Sequence, residues 1–177
     1  MENKSREDQV RYLLDRIEIQ DVLARYAAGQ DSHQGDDYQI LAEWDRVFAP
    51  DATVDYTQAG PGFGKFSYQE LAKVMRGDEN GKGVMNGAFK KWQHMLGLPL
   101  VEIQGDTATA RHDLLATHVG RTNVGTPWHL FDACTFHDNL VRTEHGWRIQ
   151  FRRLEVHYVE VIETIQHKSS IEDLIGK

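Results

Sequence analysis

The sequence predicts an α+β fold in which helices come first and a run of long antiparallel strands follows, curling into a sheet with the helices on one face. Three observations carry this. The apolar residues Val10, Leu13, Leu14, Ile17, Val22, Leu23 and Tyr26 recur at three- and four-residue spacing, the signature of one helix face. From about residue 92 onward the apolar period falls to two and stays there. No repeat or low-complexity linker divides the chain, and helices that precede strands instead of alternating with them belong to the α+β class.

In order along the chain, the first helix sets its apolar stripe against Arg11, Asp15, Arg16, Glu18 and Asp21, with Gly29 as its expected stop. A second helix is expected over 36–48, its apolar set being Tyr38, Ile40, Leu41, Trp44, Val47 and Phe48, with Pro50 ending it. "DATVDYT" (51–57) alternates as a strand, "QAGPGFGKF" (58–66) is a Gly/Pro loop, and "SYQELAKVMRG" is a helix with Ser67 as its N-cap. "GDENGKG" (77–83) is the segment expected to be most flexible. Four long strands follow at 93–104, 106–121, 127–141 and 146–160. They are joined by tight turns at "QGDT" and "TEHGW" and a longer one at "RTNVGTP". Residues 1–165 are expected to form one domain and 166–177 a tail, with a short helix in "TIQHKSSIEDLIGK".

Composition narrows the function. A chain of 177 residues can bury one sizeable core, and 40% hydrophobic content with four Trp, six Tyr and seven Phe describes a folded protein. A net charge of −7 argues against a nucleic-acid or anionic-membrane partner, both of which want clustered Lys and Arg. The single cysteine, Cys134, excludes an internal disulfide and suits a reducing compartment. The charged N-terminus shows no signal-peptide core, and no window approaches 18 apolar residues. A cytoplasmic protein is expected.

The candidate chemistry lies in "KKWQHMLGLPLVEIQGDTATARHDLLATHVG" (90–120), which holds His94, His112 and His118. Strand parity puts Ala108, Ala110, His112, Leu114, Ala116 and His118 on one face, and Arg111, Asp113, Leu115, Thr117 and Val119 on the other. His112 and His118 are then about 20 Å apart along the strand, too far to share a metal ion. No metal and no cofactor are expected. For any one histidine, a core or rim imidazole bonded to backbone is the ordinary expectation. Asp31, Tyr26 and Tyr56 change that balance. An imidazole titrates near working pH, a carboxylate beside it fixes its tautomer, and a phenol can hold a carbonyl oxygen as it gains charge. Such a set moves protons next to a carbonyl. Tyr26 also lies on the apolar helix face, where core packing would account for it equally well.

The element order, with "RIEIQDVLARYAAGQD" opening and "GWRIQFRR" near the end, resembles the cone-shaped nuclear-transport-factor-two-like superfamily. Within it the chain is similar to the SnoaL-like and scytalone dehydratase branch over nearly its whole length. The resemblance rests on "QD" at Gln30–Asp31, "VDYT" at Tyr56, "WQHMLG" at His94 and "ARHDLLATH" ending at His118. It implies a curved, mixed but mostly antiparallel sheet wrapped into a cone. It also implies His94 as the group that takes an α-proton and delivers it to the departing hydroxyl. Asp31 and His118 would form a supporting hydrogen-bonded pair, and Tyr56 would polarise the substrate carbonyl. Two features depart from that pattern. Gln30 stands where the family has its first tyrosine, with Tyr26 as a substitute at the spacing of bile-acid-dehydratase-like relatives. The family's third-strand Ser/Asn pair has no clear match among Ala133, Cys134, Thr135 and Phe136.

These readings give a cofactor-independent dehydratase acting on a small cyclic or polyketide-derived β-hydroxy carbonyl compound. An isomerase or cyclase using the same pocket, or a non-catalytic binding protein, is the alternative. Tyr26, Asp31, Tyr56, His94 and His118 should line one cavity, with Gln30, Leu96, Leu114, Ala116, Cys134 and Phe136 contacting the substrate and His112 set apart. Arg152 and Arg153 are expected in rim ion pairs. The glycines of "GPGFGKF" lack the strand-to-helix setting of a phosphate loop. A homo-oligomer, dimer or trimer, is expected through the outer sheet face, with Arg111, Asp113 and Thr117 as contact candidates.

Overall fold

In the computed structural model, residues 5–121 and 128–163 are described. Helix α1 (Arg6–Ser32) opens on Ser5, whose side chain accepts from Asp8 N while Asp8 answers to the Ser5 backbone, a reciprocal capping box. α2 (Leu41–Trp44) is a single turn, and β1 (Phe48–Asp55) and β2 (Lys65–Ser67) form an antiparallel pair. α3 (Tyr68–Arg76) carries a second capping box, between Ser67 and Glu70. The short β3 (Gly77–Asp78) and β4 (Gly81–Lys82) precede α4 (Val84–Ala88). The remaining strands are β5 (Phe89–Leu96), β6 (Leu100–Gln104), β7 (Thr107–Gly120), β8 (Trp128–Thr143) and β9 (Gly146–Glu163).

Seven strands form one sheet in the order β2-β1-β9-β8-β7-β5, with β6 also on β7. Every pairing is antiparallel except β1 with β9, so the sheet is mixed, as expected. Bulges break the register within β1 and twice between β8 and β9, and these bend long strands into a curve. α1 packs into the concave side from Asp15 onward. Arg142 grips Asp15 with two hydrogen bonds of 2.7 and 2.8 Å, and Glu18 accepts from Trp147 N. The core runs between them, from Ile19, Leu23 and Tyr26 through Trp44 and Phe48 to Phe136, Leu140, Trp147 and Ile149.

Several local expectations are corrected. The helix expected over 36–48 shrinks to four residues. Ile40, Trp44 and Val47 are still buried, but Phe48 already pairs with Ile149 on β9. Pro50 therefore sits inside β1, within the register shift between Phe48 and Thr53, where a missing N–H costs no ladder bond. Gly29 does not stop α1. It lies within the helix, where an added Cβ would stand 2.9 Å from Glu43 Cβ, so it lets α2 approach closely. The front half of the expected apolar stripe, Val10, Leu13, Leu14 and Ile17, is 48–61% exposed. The strand expected over 93–104 is two strands on the same edge of β7, interrupted at residues 97–99, where Gly97 N bonds Asp113 O.

The segment 77–83, expected to be flexible, is a tight hairpin. Gly77 takes φ +75°, and a Cβ on Gly83 would lie 2.4 Å from the Met75 carbonyl, so only glycine permits the fold-back. Lys73–Asp78 and Lys82–Asp36 ion pairs close over it. The turns at "QGDT" and "TEHGW" are formed with Gly105 and Gly146 at positive φ. The "RTNVGTP" turn past Arg121 and the tail helix from 164 lie outside the described residues.

Candidate functional site

The inner face of β7 follows the expected parity: Ala108, Ala110, His112, Leu114, Ala116 and His118 are buried, while Arg111 and Asp113 face out. Small residues there leave room for a cavity of about 230 Å³ between the sheet, α1 and α4. Of the residues expected at the site, Tyr26, Gln30, Tyr56, His94, Leu114, Ala116, His118, Cys134 and Phe136 line it. Asp31 and Leu96 do not. Asp31 reaches the site only through His94, and Leu96 lies beyond it on the same strand.

His94 is held from two sides by one carboxylate. Asp31 Oδ1 lies 2.7 Å from His94 Nδ1, and Asp31 Oδ2 accepts from the His94 backbone N at 2.9 Å. With Nδ1 committed to the carboxylate, Nε2 is the nitrogen available to the cavity. The pair expected from the family, Asp31 with His118, is therefore not formed. The last turn of α1 crosses the edge strand β5, so its carboxylate meets the strand it reaches first, and β7 lies one strand spacing deeper. The two imidazoles still face each other, with ring centroids 5.9 Å apart and planes at 89°.

His118 has a different partner. Its Nδ1 is buried without a hydrogen bond, and Asp132 Oδ2 stands 3.4 Å from that nitrogen. Burial, reinforced by nearby His94, pushes His118 down to about 3, so it is neutral at working pH. Burial pushes the Asp132 carboxyl up to about 6. The sequence reading missed Asp132, although the signal was present. Cys134 and Phe136 were expected to contact the substrate, and Asp132 follows by taking that alternation two residues back.

At the deep end, the Tyr26 and Tyr56 hydroxyls are 2.6 Å apart. Burial raises Tyr56 well above the ordinary phenol range, so it remains a donor. Gln30, in the place of the family's tyrosine, is fixed by a buried cation. Arg76 donates to the Gln30 side-chain oxygen and, at 2.8 Å, to its carbonyl, which turns the Gln30 amide toward Tyr26 at 3.4 Å. Arg76 also covers the Trp92 ring at 4.2 Å, and burial lowers it to about 10, still a cation at neutral pH.

Below the tyrosines lies a fully buried network, where a rim ion pair was expected for Arg152. Arg152 binds Asp138 through two bonds of 2.7 and 2.8 Å, and His112 Nε2 lies 3.2 Å from the same carboxylate. The guanidinium is sandwiched between Tyr26 (4.1 Å) and Phe136 (4.0 Å). Burial alone would raise the Asp138 carboxyl, but the charge and hydrogen bonds of Arg152 more than offset it and hold it below the usual range. His112 is thus set apart from the cavity, as its distance along the strand from His118 led one to expect. Among the described residues, no three His, Cys, Asp or Glu side chains converge as a metal site, and no helix is long and apolar enough to cross a membrane.

Comparison with known proteins agrees with this architecture. An uncharacterized protein of Mycobacterium tuberculosis is 36% identical over 146 residues, covering 80% of this chain and 84% of the relative. Among solved structures, the hexachlorocyclohexane dehydrochlorinase LinA-type3 of Novosphingobium barchaimii matches with a TM-score of 0.71 at 16% identity, over 92% of this chain and 99% of that one. A candidate scytalone dehydratase of Novosphingobium aromaticivorans matches with a TM-score of 0.62 at 19% identity, over 90% and 92%. At these identities the two structures establish a shared fold. Residues 11–153 match the SnoaL-like domain model, and with the curved sheet, enclosing helices and inner cavity described above, the chain belongs to the SnoaL-like family.

Proposed function

We propose that this protein is a cofactor-independent lyase that eliminates water from a small cyclic β-hydroxy carbonyl compound of the polyketide-derived kind. One observation carries the reading: His94 is locked by Asp31 through Nδ1, so that Nε2 is offered to an apolar cavity whose far end holds a phenol pair. The carboxylate sets the tautomer and stabilises the imidazolium that forms when Nε2 takes a proton. A cavity of about 230 Å³ suits a one- or two-ring compound, since about 150 Å³ already accommodates benzene.

The substrate carbonyl oxygen faces Tyr56, with Tyr26 as the second donor in line. His94 Nε2 takes the α-proton, and the C–H electron pair moves into an enolate whose oxygen charge the Tyr56 hydroxyl receives. Collapse of the enolate forms the C=C bond and breaks the β C–O bond. The departing hydroxide takes the proton from the His94 imidazolium and leaves as water, restoring the starting protonation. General acid–base catalysis of this kind contributes about 10²–10⁴-fold, and a phenol at the oxyanion about 10²–10³-fold. Proteins of the same fold named a dehydrochlorinase and a candidate scytalone dehydratase would each perform an elimination, which needs the same proton acceptor in a dry pocket.

The test is turnover of cyclic β-hydroxy ketones, beginning with a β-hydroxytetralone, whose loss of water gives a fluorescent naphthol. His94→Ala should abolish turnover while binding stays within a few-fold, because the base acts on the transition state more than on the ground state. A His94→Ala protein that retains near-normal turnover would overturn the lyase reading and leave the pocket as a carrier site.

A further inference from the structure

Two polar groups in the lining of this cavity, the His118 imidazole and the Asp132 carboxylate, stand side by side with no hydrogen bond between them. The Nδ1 of His118 is buried without a hydrogen-bond partner. Asp132 makes no hydrogen bond among the described residues, and its Oδ2 sits 3.4 Å from that nitrogen. The geometry is set by the ladder. Ala116 pairs with Asp132 across β7 and β8, so His118, two residues on, lies diagonal to Asp132 on the same inner face. The surrounding wall is apolar: Ala88, Phe89, Leu130 and Val159. A buried imidazole nitrogen and a carboxylate that both lack a hydrogen-bond partner are costly unless a bound group supplies one.

We propose that His118 and Asp132 form a second polar subsite of the cavity, which binds a hydrogen-bond-donating substituent of the ligand and rejects an anionic one. The ligand class is a neutral ring compound carrying a hydroxyl in addition to the groups that react at His94 and Tyr56. This deepens the lyase reading in naming its substrate class. The subsite itself needs no turnover to be observed. A ligand hydroxyl placed here donates to the Asp132 carboxylate, beside the His118 ring. A ligand carboxylate would meet Asp132 as a like charge, with no buried cation beside it on β7, β8 or β9 to compensate. The buried cation whose charge reaches His118, Arg76, is engaged with Gln30.

The test is calorimetric or fluorescence titration with β-naphthol, its methyl ether and β-naphthoate near pH 8. The wild type should bind the naphthol about tenfold or more tightly than the ether, which cannot donate, and should not bind the naphthoate. Asp132→Asn should narrow the naphthol–ether difference and admit the naphthoate. A naphthol hydroxyl can also donate to His94 Nε2, so the preference counts for the subsite only where it persists in His94→Ala; that arm does not depend on the folding of Asp132→Asn. Equal binding of naphthol and ether, binding of neither, or wild-type acceptance of naphthoate overturns the subsite, as when a water molecule alone occupies it. The two readings fail separately. His94→Ala should lose turnover yet keep the donor preference. A preference without turnover in the wild type leaves the subsite standing, and turnover without a preference removes the subsite alone.

Discussion

Replacing Asp132 with Asn removes a charge from the cavity at nearly constant volume, and its effect on stability should depend on pH in a definite sense. Burial raises the folded-state carboxyl to about 6, against 3.8 for the ordinary group. A group whose folded pKa lies above its unfolded value contributes stability that is fully present below the unfolded pKa and is lost as pH rises through the folded one. Here that window runs from about 3.8 to about 6. At about 1.4 kcal/mol per tenfold, the limiting loss above the window is about 3 kcal/mol. The side chain is 25% exposed, so water reaching it reduces the expected value to about 1–2 kcal/mol. Asn cannot ionise and should escape this loss. His118 on β7 and His94 on β5 face Asp132, Cys134 neighbours it on β8, and Val159 lies opposite on β9. His118 is neutral throughout the window, so it does not mask the effect. Thermal melts at pH 8 should place Asp132→Asn above wild type by about 3–6 °C for a chain of this size, with the gap closing toward pH 4. A variant less stable than wild type at pH 8, or a gap unchanged at pH 4, would refute the reasoning.

Asp31→Asn should reduce turnover by about 10²–10⁴-fold, less than loss of His94, since it disturbs the group that orients the base. Tyr56→Phe should reduce it by about 10²–10³-fold, read from kcat on the same ketone. Arg152→Met should destabilise the fold by about 3–5 kcal/mol in urea unfolding, because it strands the buried Asp138 carboxylate. Substituting both residues with apolar ones of similar volume should recover much of that loss. Gly83→Ala should cost about 1–3 kcal/mol, since its Cβ would meet the Met75 carbonyl, a backbone atom that cannot turn aside.

The sequence by itself determined the elements whose cause is local. Period-two alternation in "TATARHDLLATH" was enough to put His112 and His118 on one buried face. The Ser67 cap and the Gly105 and Gly146 turns depend on a few adjacent residues, and each was legible. The family motifs likewise drew attention to His94, Tyr56 and Asp31. Tertiary structure alone decided which of these touch. Whether Asp31 meets His94 or His118 depends on where α1 crosses β5, a contact between segments 63 residues apart. The same holds for Arg152. The alternation in "RIQFRRLEVH" shows which face it takes, but not that Asp138 and His112, on two other strands, wait there to bury its charge. Helix α2 and the front of α1 show the converse. Their apolar spacing was real, but Phe48 gained more by pairing with β9, and Val10 to Ile17 found no surface among the described residues to cover them. Periodicity fixes a side chain's direction relative to its own backbone, while a site also needs the distance between backbones, and that is set only when the sheet curls and the helices close over it.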